Sequence, residues 1–117
     1  MTDLDMESTI GALFDDATET HTRIDTFDHD YAGRTIEWTA DVERARASRH
    51  NGDAALRTEL FLGYASEGRL PTDRVVAEAY FAADATIEPG TTITFAGTLT
   101  GLNVYARRIV IDEARII

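Results

Sequence analysis

The chain has 117 residues, with no cysteine, no lysine, two prolines and one tryptophan. Without cysteine there are no disulfides and no thiol chemistry, and a zinc site would have to rest on histidine and carboxylates. No apolar run approaches the roughly 20 residues that span a bilayer as a helix, so no membrane partner is expected. The opening Met1–Ile10 stretch is acidic and lacks the basic start of a secretory signal, which points to a cytoplasmic protein. Serine occurs only at Ser8, Ser48 and Ser66, and no nucleophile elbow, phosphate-binding loop or dinucleotide fingerprint is present. A non-catalytic protein without cofactors is expected. All eleven basic residues are arginine, which fits either a GC-rich coding sequence or a high-salt cytoplasm. Such a bias speaks to solubility and not to fold.

The formal charge of −10 is unevenly placed. Residues 1–30 carry nine acids and one arginine, whereas residues 31–117 carry twelve acids and ten arginines. The acidity belongs to the first segment, and the remainder is close to balance. Nucleic-acid binding is therefore not excluded by the total charge.

Residues 4–28 read as a helix. Met6, Ile10, Leu13, Phe14, Ala17, His21, Ile24 and Phe27 recur at helical spacing as one apolar stripe. The β-branched stretch Thr18–Thr26 is a weak helix former, which places a break there, and Gly33 marks the exit. From Thr35 the period changes to two. Ile36, Trp38, Ala40 and Val42 share one face of a first strand, and the alternation slips after Glu43, the mark of a bulge. Asn51-Gly52 predicts a hairpin turn. A second strand runs from Ala54 to Tyr64, with Leu56, Thr58, Leu60, Leu62 and Tyr64 on one side. Ser66–Thr72 reads as a loop, and Arg74–Ala82 as a third strand with Val75, Ala77, Ala79 and Phe81 inward. Pro89-Gly90 leads into a fourth strand, Gly101-Leu102-Asn103 reads as its closing turn, and a fifth strand covers Val104–Ile117 with a bulge near Asp112-Glu113. Five antiparallel strands leave open edges unless they curl into a barrel. A helix wrapped centrally by a sheet, the hot-dog arrangement, is disfavoured because the helix precedes every strand.

Tyr31-Ala32-Gly33-Arg34-Thr35-Ile36 with Trp38-Thr39-Ala40 resembles the opening of OB-fold domains. Ile87 to Gly97 is similar to their fourth strand, and Ile109 to Ile116 to their last. The nearest group is the small stand-alone domains resembling tRNA-anticodon-binding domains. The resemblance implies a mainly β, five-stranded OB-like antiparallel barrel over residues 31–117, with the acidic helix of residues 1–30 packed on it. It also implies a ligand surface on strands two and three. Two departures stand out. Ala40 replaces a customary glycine, and Ala83–Gly90 replaces the helix between strands three and four. The N-terminal helix is expected to take over that packing role.

On the expected surface lie Arg57, Phe61, Arg74, Val76 and Tyr80, side chains suited to stacking bases and meeting phosphate. Glu59 and Glu78 share it, so a cross-strand ion-pair face is the competing reading. Arg44, Arg46, Arg49 and His50 beside the first hairpin, with Arg107 and Arg108, form a candidate basic rim. Solvated ion pairs are the alternative there. Asp28-His29-Asp30 with His21 is a conceivable metal set, but its spacing matches no recognised site and no metal is expected. The expected function is a binding module for single-stranded nucleic acid. Arg57, Phe61, Arg74 and Tyr80 would make the contacts, and Arg44, Arg46, Arg107 and Arg108 the rim. The alternative is a protein-interaction or assembly domain that binds another protein or itself.

Overall fold

Period-two alternation does govern the chain from Thr35 onward. The computed structural model describes residues 4–14, 19–65 and 71–117. Its strands are β1 (Thr35–His50), β2 (Asp53–Tyr64), β3 (Arg74–Ala82), β4 (Thr92–Asn103) and β5 (Arg108–Ile116). They close into a barrel in the order β1-β2-β3-β5-β4. This is the five-stranded Greek-key arrangement of OB-like barrels.

β1 serves two neighbours. Thr35–Asp41 pairs with β4, and Asp41–His50 pairs with β2. The register slips between Val42 and Arg44, where the alternation of the sequence breaks. Asn51 and Gly52 both have positive φ, 53° and 85°, as a tight two-residue hairpin turn requires.

The barrel is not purely antiparallel, as the sequence reading had it: β3 and β5 run parallel. The cause is the connection after Ala82. It carries the chain across the barrel end and sets β4 beside β1 instead of β3. β5 then returns antiparallel to β4 and meets β3 running the same way.

Two local expectations also change. Gly101, Leu102 and Asn103 are paired strand residues, opposite Val110, Ile109 and Arg108. The turn lies later, at 104–107, where the Asn103 side-chain oxygen accepts the Ala106 N–H at 3.0 Å. Tyr64 does not follow Leu62 into the core. β2 slips register between Phe61 and Gly63, which sets Tyr64 opposite Arg74 on the outside. The expected bulge in β5 is present: Ala79 pairs with Ile111 but Phe81 with Ala114, and Glu113 has φ 53°.

The interior is filled by the predicted apolar faces of β1, β2 and β3 and by residues of β4 and β5 to which the sequence reading gave no inward face. Ile36, Trp38, Val42, Leu60, Val75, Ala77, Ala79, Phe81, Phe95, Leu99, Ile109 and Ile111 are buried in one cluster. Burying each large side chain contributes about 1.5–3 kcal/mol. Phe81 and Phe95 meet edge to face, 6.3 Å between centroids. Thr58 is buried too, and its hydroxyl donates to the Ala79 carbonyl at 2.9 Å, so no polar group is stranded there.

The leading segment divides into α1 (Met6–Leu13) and α2 (Thr20–Thr26), followed by a single π-type turn over Phe27–Tyr31. Asp5 caps α1 by accepting the Ser8 N–H at 2.9 Å, which holds its carboxyl below the usual range. Ile10, Leu13 and Phe14 are buried against the barrel, with Ile10 over Gly63. The Trp38 indole donates to the Leu4 carbonyl at 2.8 Å. The predicted stripe does not continue through α2, which buries no residue and leaves His21 and Ile24 exposed. It resumes at Phe27, which is buried. Ala17 of the stripe and residues 66–70 of the predicted loop lie outside the described residues. Ile87, in the segment that replaces a helix, is buried with the core.

Candidate nucleic-acid interface

The outer face of β2, β3 and β5 is a grid set by register. One row is Phe61, Val76 and Arg108; the next is Glu59, Glu78 and Val110; the third sets Arg57 beside Tyr80. β1 extends two of these rows, with Arg44 opposite Glu59 and Arg46 opposite Arg57. The candidate residues Arg44, Arg46, Arg57, Phe61, Tyr80 and Arg108 therefore share one surface. Arg74 lies past Phe61, opposite Tyr64.

The centre of the face is a knot of opposite charges. Arg57 meets Glu78 at 2.5 Å, and Arg108 reaches Glu59 at 3.0 Å and Glu78 at 3.7 Å. The Tyr80 hydroxyl donates to Glu78 at 2.8 Å. Burial first, then the hydrogen bond to Glu78 and its charge, push the Tyr80 phenol above its ordinary range, so it remains a donor. Arg74 pairs with Glu43, and Arg107 lies 3.8 Å from Asp73. Arg44 and Arg46 are exposed and form no ion pair among the described residues. Four of the six candidate arginines are thus already matched with carboxylates. The Arg57 Nε–H is buried without a hydrogen-bond partner in the knot.

The end of the face nearest the β4–β5 turn is aromatic. The Arg74 guanidinium sits over the Phe61 ring, 4.6 Å from its centroid, and Tyr64 meets Phe61 edge to face at 5.2 Å. Tyr105, at the tip of the turn that feeds β5, is 83% exposed. Sequence reasoning named neither Tyr64 nor Tyr105 for this surface. Tyr64 was hidden by the β2 slip. Tyr105 had a usable signal, an aromatic beside a turn-forming asparagine.

The opposite end is closed by the β1–β2 hairpin. It folds over so that the His50 ring stacks on Tyr80, centroids 3.7 Å apart and planes within 10°. His50 Nε2 meets Asp112 Oδ1 at 2.5 Å. A cleft of about 390 Å³ opens beside them, bounded also by Asp53, Phe81 and Glu113.

Away from the face, His21 lies 3.3 Å from Glu19 and His29 3.9 Å from Asp30, all well exposed. The described residues hold no group of three or more side chains that could ligate a metal.

No family model matches the chain, and no curated protein matches it in sequence. A crystal structure does resemble it: that of a protein from Klebsiella pneumoniae subsp. pneumoniae provisionally described as a nucleic acid-binding lipoprotein. The superposition covers all of this chain and 92% of that one, with a TM-score of 0.62 and 10% sequence identity. At that identity the likeness concerns the fold.

Proposed function

We infer that this chain is a non-catalytic OB-like module that binds single-stranded nucleic acid along the outer face of β2, β3 and β5. The observation that carries the reading is the file of exposed and half-exposed aromatics beside cations at one end of that face. Phe61, Tyr64 and Tyr105 offer ring surfaces, with Arg74 and Arg108 among them. Bases stack on such rings whatever their identity, and arginine meets the backbone between them. The β2–β3 surface and the loops bounding it are where OB barrels take oligonucleotides. The described fold of the Klebsiella protein, and the function suggested for it, lend support. The finer kinship, to the tRNA-anticodon-binding-like domains, and a cytoplasmic setting belong to the same proposal.

The internal ion pairs set the expected strength. A phosphate must compete with Glu59 and Glu78 for Arg57 and Arg108, so affinity is modest and most visible at low salt. Arg44 and Arg46 are the cations ready to release counterions. Fluorescence anisotropy with a labelled mixed-sequence single strand tests this. Binding that weakens with salt is expected, and Arg44→Ala or Arg46→Ala should each flatten the log–log salt slope by about 0.7. No binding at low ionic strength would end the proposal.

A further inference from the structure

The contact between His50 and its two partners has the geometry of a bound base. A flat nitrogen heterocycle lies parallel on Tyr80 at 3.7 Å and presents a ring nitrogen to Asp112 at 2.5 Å. An ionised carboxylate only accepts, so the proton of that hydrogen bond sits on His50 Nε2. The side chains of His50 and Asp112 are 25% and 20% exposed, so the pair is half-sheltered from solvent. These groups come from three strands. The hairpin brings His50 from the end of β1, Tyr80 stands near the end of β3, and Asp112 lies at the β5 bulge, just before the left-handed Glu113.

We propose that the Tyr80–Asp112 platform is a guanine-selective subsite, which His50 occupies as an internal stand-in until a base displaces it. The inference rests on the single-strand reading above. The selectivity follows from donor and acceptor patterns on the base edges. Guanine offers two adjacent N–H donors, N1 and N2, which a carboxylate takes through both oxygens. Cytosine and adenine each set one amine beside a ring-nitrogen acceptor, which the carboxylate repels. Thymine and uracil flank a single N–H with two carbonyls, repelled likewise. Tyr80 supplies the stacking surface, and the adjoining cleft gives a displaced His50 or an entering base room to move. Arg57 and Arg46, in the row of Tyr80, stand where the phosphates of a base so placed can be met. Acids near the cleft, Asp53 and Glu113, disfavour phosphate there and so orient the base edge inward.

The test uses the full chain and two labelled octamers, one all thymine and one with a single central guanine. Wild type should favour the guanine strand modestly. His50→Ala should raise affinity for it by about fivefold or more, and raise that for the all-thymine strand, which gains only the uncovered Tyr80 ring, by less. Asp112→Asn should abolish the preference, a small loss in otherwise wild-type protein and about tenfold in the His50→Ala background. Because that substitution can loosen the bulge, the ligand is also changed: inosine in place of guanine, lacking only the N2 amine, should lose part of the preference on unmodified protein. Octamers that bind equally well in wild type and in His50→Ala, with inosine equal to guanine, overturn the subsite and leave the broader function standing. If neither octamer binds at low salt, the broader function fails and the subsite with it.

Discussion

The β1–β4 seam and the face of β2, β3 and β5 are made from the same alternating strands, yet only the seam is regular. From Thr35 opposite Thr98 to Asp41 opposite Thr92, β1 and β4 pair without a slip. Their outer side is knit by short polar contacts, Thr39 to Thr94 at 2.8 Å and Thr92 to Asp41 at 2.6 Å. Every other pairing around the barrel breaks register at least once. Bulges re-aim side chains and end pairing, and they gather where a sheet must present something. Here one turns Tyr64 outward, and another lies beside Asp112, which meets His50. The seam holds the barrel shut, and the irregular face carries the residues of the proposed binding surface.

Three substitutions sharpen or break that division. The largest effect belongs to the seam. Phe95→Ala removes a fully buried ring opposite Trp38 and should cost about 3–5 kcal/mol of stability, read as a lower urea midpoint with an unchanged slope. Tyr105→Ala should do the reverse. Stability should stay within about 0.5 kcal/mol, because the ring lies in solvent, while single-strand affinity should fall by about 1–3 kcal/mol. A Tyr105→Ala protein that unfolds early but binds normally would erase the distinction between scaffold and face. The smallest effect is Glu78→Gln, at about 1 kcal/mol of stability. It frees Arg57 and Arg108 from a charged partner, so the salt slope of binding should steepen by roughly 1. An unaltered slope would mean those arginines meet no phosphate.

The scaffold was legible because alternation survives wherever strands are regular. Ile36-Trp38-Ala40-Val42 and Val75-Ala77-Ala79-Phe81 read as inward faces and are inward. The first slip, after Glu43, showed itself because the alternation visibly changed phase. The second, between Phe61 and Gly63, did not, since Leu62 and Tyr64 keep an apolar period of two and nothing local says that Tyr64 turns out. The parallel β3–β5 pairing was invisible for another reason: it depends on which neighbour β4 chooses, and no stretch of β4 encodes that. The face was half legible. Arginines and aromatics could be placed on it by counting, and Glu59 and Glu78 among them marked a cross-strand ion-pair face, but which arginine meets which carboxylate, and that Glu43 reaches Arg74, is a matter of side-chain reach across strands. His50 was seen only as part of a basic hairpin. Its partner is 62 residues away, and only the curl of the sheet brings them together. The leading segment misled in the opposite direction, because a helical period ran through α2, none of whose residues is buried.

The one parallel seam also imposes an order in time. β1, β2 and β3 are neighbours in both sequence and space, so they can zip together as they leave the ribosome. β3 must then wait with a bare edge until β4 has docked on β1 and β5 has been made, because its remaining partner is the last strand of the five. Such late, distant pairing is slow and leaves a sticky rim in the interval. Arg74, Glu78 and their paired neighbours, whatever they later hold, give that waiting edge enough charge to discourage the wrong company.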